Sequence, residues 1–460
     1  MISYVLAIMI AATLPFILFY PFLGILAWFW IGYMNPHRLI WGFGTEISWA
    51  MIIGVTALIA FALSREPKRL PVHTLTVLLG IFAIWMSVTT YFAAAPAPAF
   101  QEWDQVMKIL LMVFVAMALM TTRERIHAVV WVVVIAVGFF GVKGGIWMLL
   151  TGGQDLVRGP PDSFIGSRNT LAMALITVLP LIRYLQLHTE SRPLRIALMG
   201  AFALNVFAVV GTHSRGALVA LVIVGISFVL ISRHRFQMAA IGLVLGVAVI
   251  AVVPQHWVER MYTIETYEED GSASSRLAVW EGNFNLTLDR PIFGAGFRHY
   301  YNSDLYFQYT DDTATRSSHS IYFQVMSEHG FVGLALFMSI LLIAFLRCGS
   351  IMRMARGDPE KAWAGDLAQM IRLCLIGYAS AGLFINIAYF DLFYNLLALI
   401  VASECIVRRG QLTAREARLR SRSPQLGSRQ SEGHPPDPAP EPAPGAAPFT
   451  ASPTARGRGR

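Results

Sequence analysis

Apolar runs long enough to cross about 30 Å of hydrocarbon recur along the chain at residues 2–20, 21–34, 46–63, 74–92, 105–120, 127–150, 169–187, 195–212, 216–232, 236–254, 320–346, 366–388 and 389–407. The pattern predicts an all-α polytopic membrane protein with about 12–13 transmembrane helices. Pro15 and Pro21 either divide the first 34 residues into two short helices or kink one long one. The first run lacks a basic leader and a small-residue cleavage site followed by polar sequence, so it reads as a retained span and not as a signal peptide.

Only one long hydrophilic stretch interrupts the apolar pattern. It runs from Gln255 to Ser318 and ends at His319, where the chain turns apolar again. Four regions follow: N-terminal membrane helices over 1–254, a loop carrying the chemistry over 255–319, C-terminal membrane helices over 320–409, and a tail over 410–460. The tail is rich in Pro, Ala and Arg and poor in large apolar residues, a composition expected to stay disordered.

Composition agrees with the pattern. At 55% hydrophobic and 14% charged, the chain is too apolar for an ordinary soluble domain, whose charged share is about a quarter. The net charge of +8 does not point to nucleic acid, because no basic stripe with interleaved aromatics occurs. Its cations fall mostly in short links and in the tail, and the basic links carry Arg65, Lys68 and Arg69; Arg123 and Arg125; Arg192 and Arg195; Arg233 and Arg235; Arg347, Arg353, Arg356 and Lys361. The positive-inside rule puts these five links in the cytoplasm. The links near Asn35, Ala95, Gly152 and Thr212, with the long loop, then face the other side. Ten acidic residues against five arginines in the long loop agree with an outward face.

Cys348, Cys374 and Cys405 lie in or beside the last apolar runs, lack metal-ligand spacing and read as small apolar residues. Asp311 and Asp312 are adjacent carboxylates in the loop, but YTDDTATR reads as a polar turn in which the two side chains diverge. No metal site and no cofactor are expected.

Ionisable residues inside or beside spans are costly and therefore candidates for function. Arg215, in GTHSRGA, sits in a link too short to reach far into water, and reads as a site residue or as a snorkelling helix end. Arg276 precedes Leu277, Trp280, Phe284 and Leu288 at helical spacing, with Ser274 or Ser275 as a cap. This predicts an amphipathic helix on the bilayer, whose dipole would join Arg276 in attracting an anion. Lys143, in GFFGVKGGIW, is a third candidate for the same anion, in a span where Gly138, Gly141, Gly144 and Gly145 imply close backbone approach or a break. Of the histidines, His319 stands at the membrane boundary and can act as a base near neutral pH, with His213 and His329 as rivals. Glu328, in SEHG, is expected to orient backbone or cap a helix.

GTHSRGA, SSRLAVWEGNFNL, PIFGAGF and HSIYFQVMSEHGFVGLALF, in this order, resemble the O-antigen ligase and polymerase superfamily of bacterial envelopes. YMNPHRLIWGF, SREPKRLP, TRERIH and GVKGGI extend the likeness to the O-glycosylation ligases that accompany exosortase systems, from the N-terminus to about Arg409. The resemblance implies a GT-C-like ligase architecture in the bacterial inner membrane. It implies an inverting, metal-independent transfer of a glycan from undecaprenyl pyrophosphate to an acceptor hydroxyl at the periplasmic face. It also implies that Arg215 and Arg276 hold the pyrophosphate and that His319 is the base, with Trp280, Phe284 and Phe297 available to line the donor's path. The family's usual Asn after this histidine is replaced by Ser320. A repeat-unit polymerase is the alternative within the class, and a lipid-linked glycan transporter the alternative outside it; the absence of an obvious inverted repeat favours the enzyme.

Overall fold

The computed structural model describes residues 2–66, 68–231, 235–252, 271–310 and 315–422. Met1–Gly410 form one compact unit and Gln411–Arg460 a second, and the packing that builds the site lies within the first. Among the described residues the regular structure is helical throughout: α1 Ile2–Phe19, α2 Pro21–Met34, α3 Trp49–Leu63, α4 Thr74–Tyr91, α5 Pro96–Leu119, α6 Arg123–Leu150, α7 Arg168–Leu187, α8 Arg192–Gly211, α9 Arg215–Ile231, α10 Arg235–Val252, α11 Gly271–Asp289, α12 Ile321–Ala355, α13 Ala362–Ala381 and α14 Asp391–Arg422. Every apolar run of the sequence has become a helix, and the chain is an all-α, multi-pass membrane protein.

The first 34 residues form two helices. Tyr20, ahead of Pro21, is pushed to φ −128°, ψ 85°, and Pro21 starts the second helix at a position where its missing N–H costs nothing. Seven of the described helices are long and apolar enough on their own to cross a membrane. The expected 12–13 spans exceed this because α2, α3 and α9 have only 14, 15 and 17 residues, about 21–26 Å at 1.5 Å per residue, the apolar part of α10 is shorter still, and α5 and α14 carry charged residues among their apolar ones. At the other end of the chain, α14 runs past Arg409 to Arg422, because AREARLR is made of good helix formers. The rest of the expected tail lies outside the described residues.

Short links gather at two ends. At one end Arg125 pairs with Glu66 (2.5 Å), His188 meets Asp366 (3.1 Å), and Arg347 and His73 both reach Glu404 (3.3 and 2.9 Å). At the other, Arg38 faces Asp162 (3.7 Å), His213 Nε2 bonds the carbonyl of Gly153 (3.0 Å), Asn302 donates to Ala94 O (2.9 Å), and Arg298 is ion-paired with Glu102. These are the two sets of links that the charge pattern separates.

Glycines set the closest helix contacts. A Cβ on Gly141 would collide with Asn205, and one on Gly145 with the carbonyl of Leu204, so α6 lies directly against α8. Of the two readings of this glycine-rich span, close approach holds, and α6 continues unbroken from Arg123 to Leu150. The helix that does break is α12. Gly330, at φ 70°, ψ −175°, interrupts its helical geometry. The freed backbone is used: Ala295 and Gly296 donate N–H groups to the carbonyls of Ser327 and Glu328 (2.8 and 2.9 Å), and Phe331 N–H donates to Pro291 O (2.9 Å). PIFGAGF is thereby bolted to the start of α12.

Candidate functional site

His319 closes the link before α12 with φ 48°, a left-handed conformation uncommon outside glycine. Its neighbours hold it there. The indole of Trp280 donates to the carbonyl of Ser318 (2.8 Å) and stacks on Phe323 at 5.1 Å with 9° between the planes. Ser320, fully buried, is the N-cap of α12, although its hydroxyl makes no capping bond.

The half-buried imidazole lines a polar chamber of about 430 Å³, together with Glu102, Arg298, Tyr300, Gln324, Glu328 and Tyr389. Burial first, and then the charges of Arg276 and Arg316, hold its pKa below histidine's ordinary 6.5. Arg276 is therefore close enough to act on the charge of the imidazole. Arg215, half-buried, begins α9. The next residue, Gly216, is pressed against Phe384, whose ring is part of the chamber wall (a Cβ there would lie 2.7 Å from it). Below Arg215 an apolar groove of about 590 Å³ runs between α8, α9 and α10, with Val210 and Leu218 on either side of the link among its lining.

Glu328 orients backbone, one of the two roles expected of it. Its carboxylate accepts the N–H of Arg298 (3.1 Å) and the hydroxyl of Tyr389 (2.5 Å), and its backbone carbonyl accepts Gly296. It lies in the last turn before the break at Gly330. Arg298, itself at φ 50°, carries its guanidinium to Glu102.

Other expectations come out differently. Lys143 is exposed on α6 and lines a separate cavity of about 810 Å³ with Trp147 and Arg158, which shares no lining residue with the chamber. Depth in the membrane, which the sequence reveals, does not fix the side of the bundle on which a residue falls. The helix α11 begins at Gly271, so Ser274 and Ser275 lie inside it and Arg276 sits in its second turn. The dipole fades within the first turn, which leaves the guanidinium's own charge as the useful term. Leu277, Phe284 and Leu288 form the exposed apolar face of α11, but Trp280 is turned inward to Phe323. Phe297 is fully buried between His329 and Tyr389.

His213 and His329 are buried, the first against Gly153 O and the second bonded through Nδ1 to Thr89 (2.6 Å). Asp311 and Asp312 lie outside the described residues. Sequence reasoning missed Glu102, Arg298, Tyr300 and Tyr389; the one signal available was the acidic and basic pair Glu102 and Arg298, each near an outward link.

Residues 200–338 match the family model described as O-Antigen ligase, and residues 1–190 match a family of unknown function, DUF5935. No curated protein matches the chain. The ligase match contains Arg215, Arg276, His319 and Glu328, of which His319 and Glu328 line the chamber and Arg276 acts on the charge of the imidazole. Residues 200–338 thus carry an O-antigen ligase domain, set within an all-α, multi-pass membrane protein.

Proposed function

We propose that the protein transfers a glycan from undecaprenyl pyrophosphate to an acceptor hydroxyl, at the periplasmic face of the bacterial inner membrane. One observation carries the reading: within the ligase-family segment, His319 lines a polar chamber while Arg276 acts on its charge and the Arg215 end of α9 abuts the same wall.

In this reaction His319 takes the proton of the acceptor hydroxyl as the oxygen bonds to the anomeric carbon. The bond from that carbon to the phosphate oxygen breaks on the opposite side, so the configuration inverts. The departing pyrophosphate keeps the electron pair and gains charge. Arg215 and Arg276 hold it, since guanidinium forks match phosphate oxygens and stay charged in a partly desolvated site. That charge compensation requires no metal ion. The groove beneath Arg215 suits the polyprenyl tail by its apolar lining. The outward sidedness is supported by the charge pattern and by the two-ended grouping of the links.

The test is transfer by purified protein from an undecaprenyl-pyrophosphate oligosaccharide to lipid, peptide and saccharide acceptors, with and without EDTA. The reading expects transfer that persists in EDTA and inverts the anomeric centre. The acceptor labelled separates ligase from polymerase. Retention of configuration, or loss of transfer in EDTA restored by a divalent ion, overturns the proposed chemistry.

A further inference from the structure

A second chamber, of about 550 Å³, adjoins the one that holds His319. The two share Glu102, Ser163, Phe164 and Arg298, so the Glu102–Arg298 ion pair stands at the partition between them. The size is ordinary for a small-ligand site, about 300–1,000 Å³. Its walls come from α2, from the links after α2 and α6, and from the starts of α3, α5 and α14.

Polar atoms in this chamber are left without partners among the described residues. Asp391 is only 7% exposed, yet its Oδ1 accepts no hydrogen bond, and Arg38 Nε and His37 Nδ1 are buried without one. Leaving such groups unsatisfied costs about 1–3 kcal/mol each, so they mark a place where a ligand would complete the bonding. As an ion Asp391 can only accept, and Arg38 can only donate. An anion would suit Arg38 but be repelled by Asp391, and a cation the reverse. The other charges are already matched, since Arg298 pairs with Glu102 and Lys108 with Asp104 at 2.5 Å, while Arg38 itself is met only by the exposed Asp162 at 3.7 Å. Hydroxyl groups, which donate and accept at once, satisfy both kinds of atom without adding charge. Trp28 adds a flat apolar wall for the carbon face of such a ligand.

We propose that this chamber is a saccharide subsite, which takes a neutral, hydroxyl-bearing sugar unit with Asp391 and Arg38 as its principal polar contacts. The inference rests on the transferase reading above, in which the sugar belongs either to the lipid-linked donor or to a saccharide acceptor.

Binding to the full-length protein in nanodiscs tests it with three probes: undecaprenyl pyrophosphate without sugar, undecaprenyl-pyrophosphate N-acetylglucosamine, and chitotriose. Wild type is compared with Asp391→Asn, which turns an acceptor into a donor, and with Ala50→Trp, which fills the chamber from α3. A sugar-bearing probe should lose about tenfold or more in both variants, while bare undecaprenyl pyrophosphate binds all three proteins alike. Loss confined to the lipid-linked probe assigns the donor's sugar, and loss on chitotriose assigns the acceptor. The proposal is overturned if wild type gains no affinity from the sugar of either probe, or if the gain survives both substitutions. Failure of the bare lipid to bind would count against the transferase reading, and a chitotriose loss in Asp391→Asn would still support the subsite.

Discussion

Trp280 donates its indole N–H to the carbonyl of Ser318 at 2.8 Å, and the next residue is His319. The same ring lies flat on Phe323, one turn into α12. The link that carries the imidazole is thus clamped to α11 on one side and seated on α12 on the other, while its backbone is held at φ 48°. A left-handed residue of this kind costs about 1–3 kcal/mol and persists only where its surroundings over-determine it. Here the clamp is visible, and it acts on the proposed base.

Trp280→Phe keeps most of the stack on Phe323 and removes the N–H. The carbonyl of Ser318 loses its partner, for about 1 kcal/mol of stability. Misplacement of the imidazole should lower kcat about tenfold with little change in the donor's KM. Steady-state kinetics with thermal unfolding checks this; an unchanged kcat would show that the clamp does not position the base.

The pH profile follows from the environment of His319. A base works when unprotonated, and burial together with the charges of Arg276 and Arg316 lowers the pKa, so the base form persists to lower pH than in a free histidine. The acid limb of kcat/KM should therefore lie below 6.5. Arg276→Gln removes one of the repelling charges and should move the limb upward, whatever it does to the rate. A limb that does not move would mean that Arg276 is not felt at the imidazole.

Gly330 holds φ 70°, ψ −175° at the break in α12, and any Cβ there would collide with the carbonyl of Ile292. Gly330→Ala should cost about 2–4 kcal/mol through strain and the loss of the PIFGAGF docking. Gly200→Ala on α8 is the control, since nothing lies within 4 Å of the added carbon. Equal unfolding midpoints for the two variants would contradict the packing described.

Much of this was legible in the sequence, for identifiable reasons. Membrane helices are written as continuous apolar runs, because hydrocarbon leaves no other way to satisfy the backbone; hence each run from Ile2 to Val407 reappears as a helix. His319 and Arg276 are singled out by the sequence because both belong to the one long polar stretch and its boundary. Lys143 lines a different cavity, which the sequence does not reveal because residue depth says nothing about which side of the bundle a helix occupies. Glu102 was overlooked because PAPAFQEWDQ reads as a polar link, whereas α5 already begins at Pro96 and carries Glu102 on its buried side. Arg298 was lost for the opposite reason: it follows a glycine-rich loop, and only the docking of that loop on Ser327 and Glu328 turns it toward Glu102.

The measurement that bears most directly on the account is glycan transfer from an undecaprenyl-pyrophosphate donor by wild-type protein and by His319→Ala, with thermal unfolding confirming that the variant is folded. General-base catalysis contributes about 10²–10⁴-fold, so the account predicts a loss of that order with donor binding retained. Transfer by folded His319→Ala at the wild-type rate would contradict it.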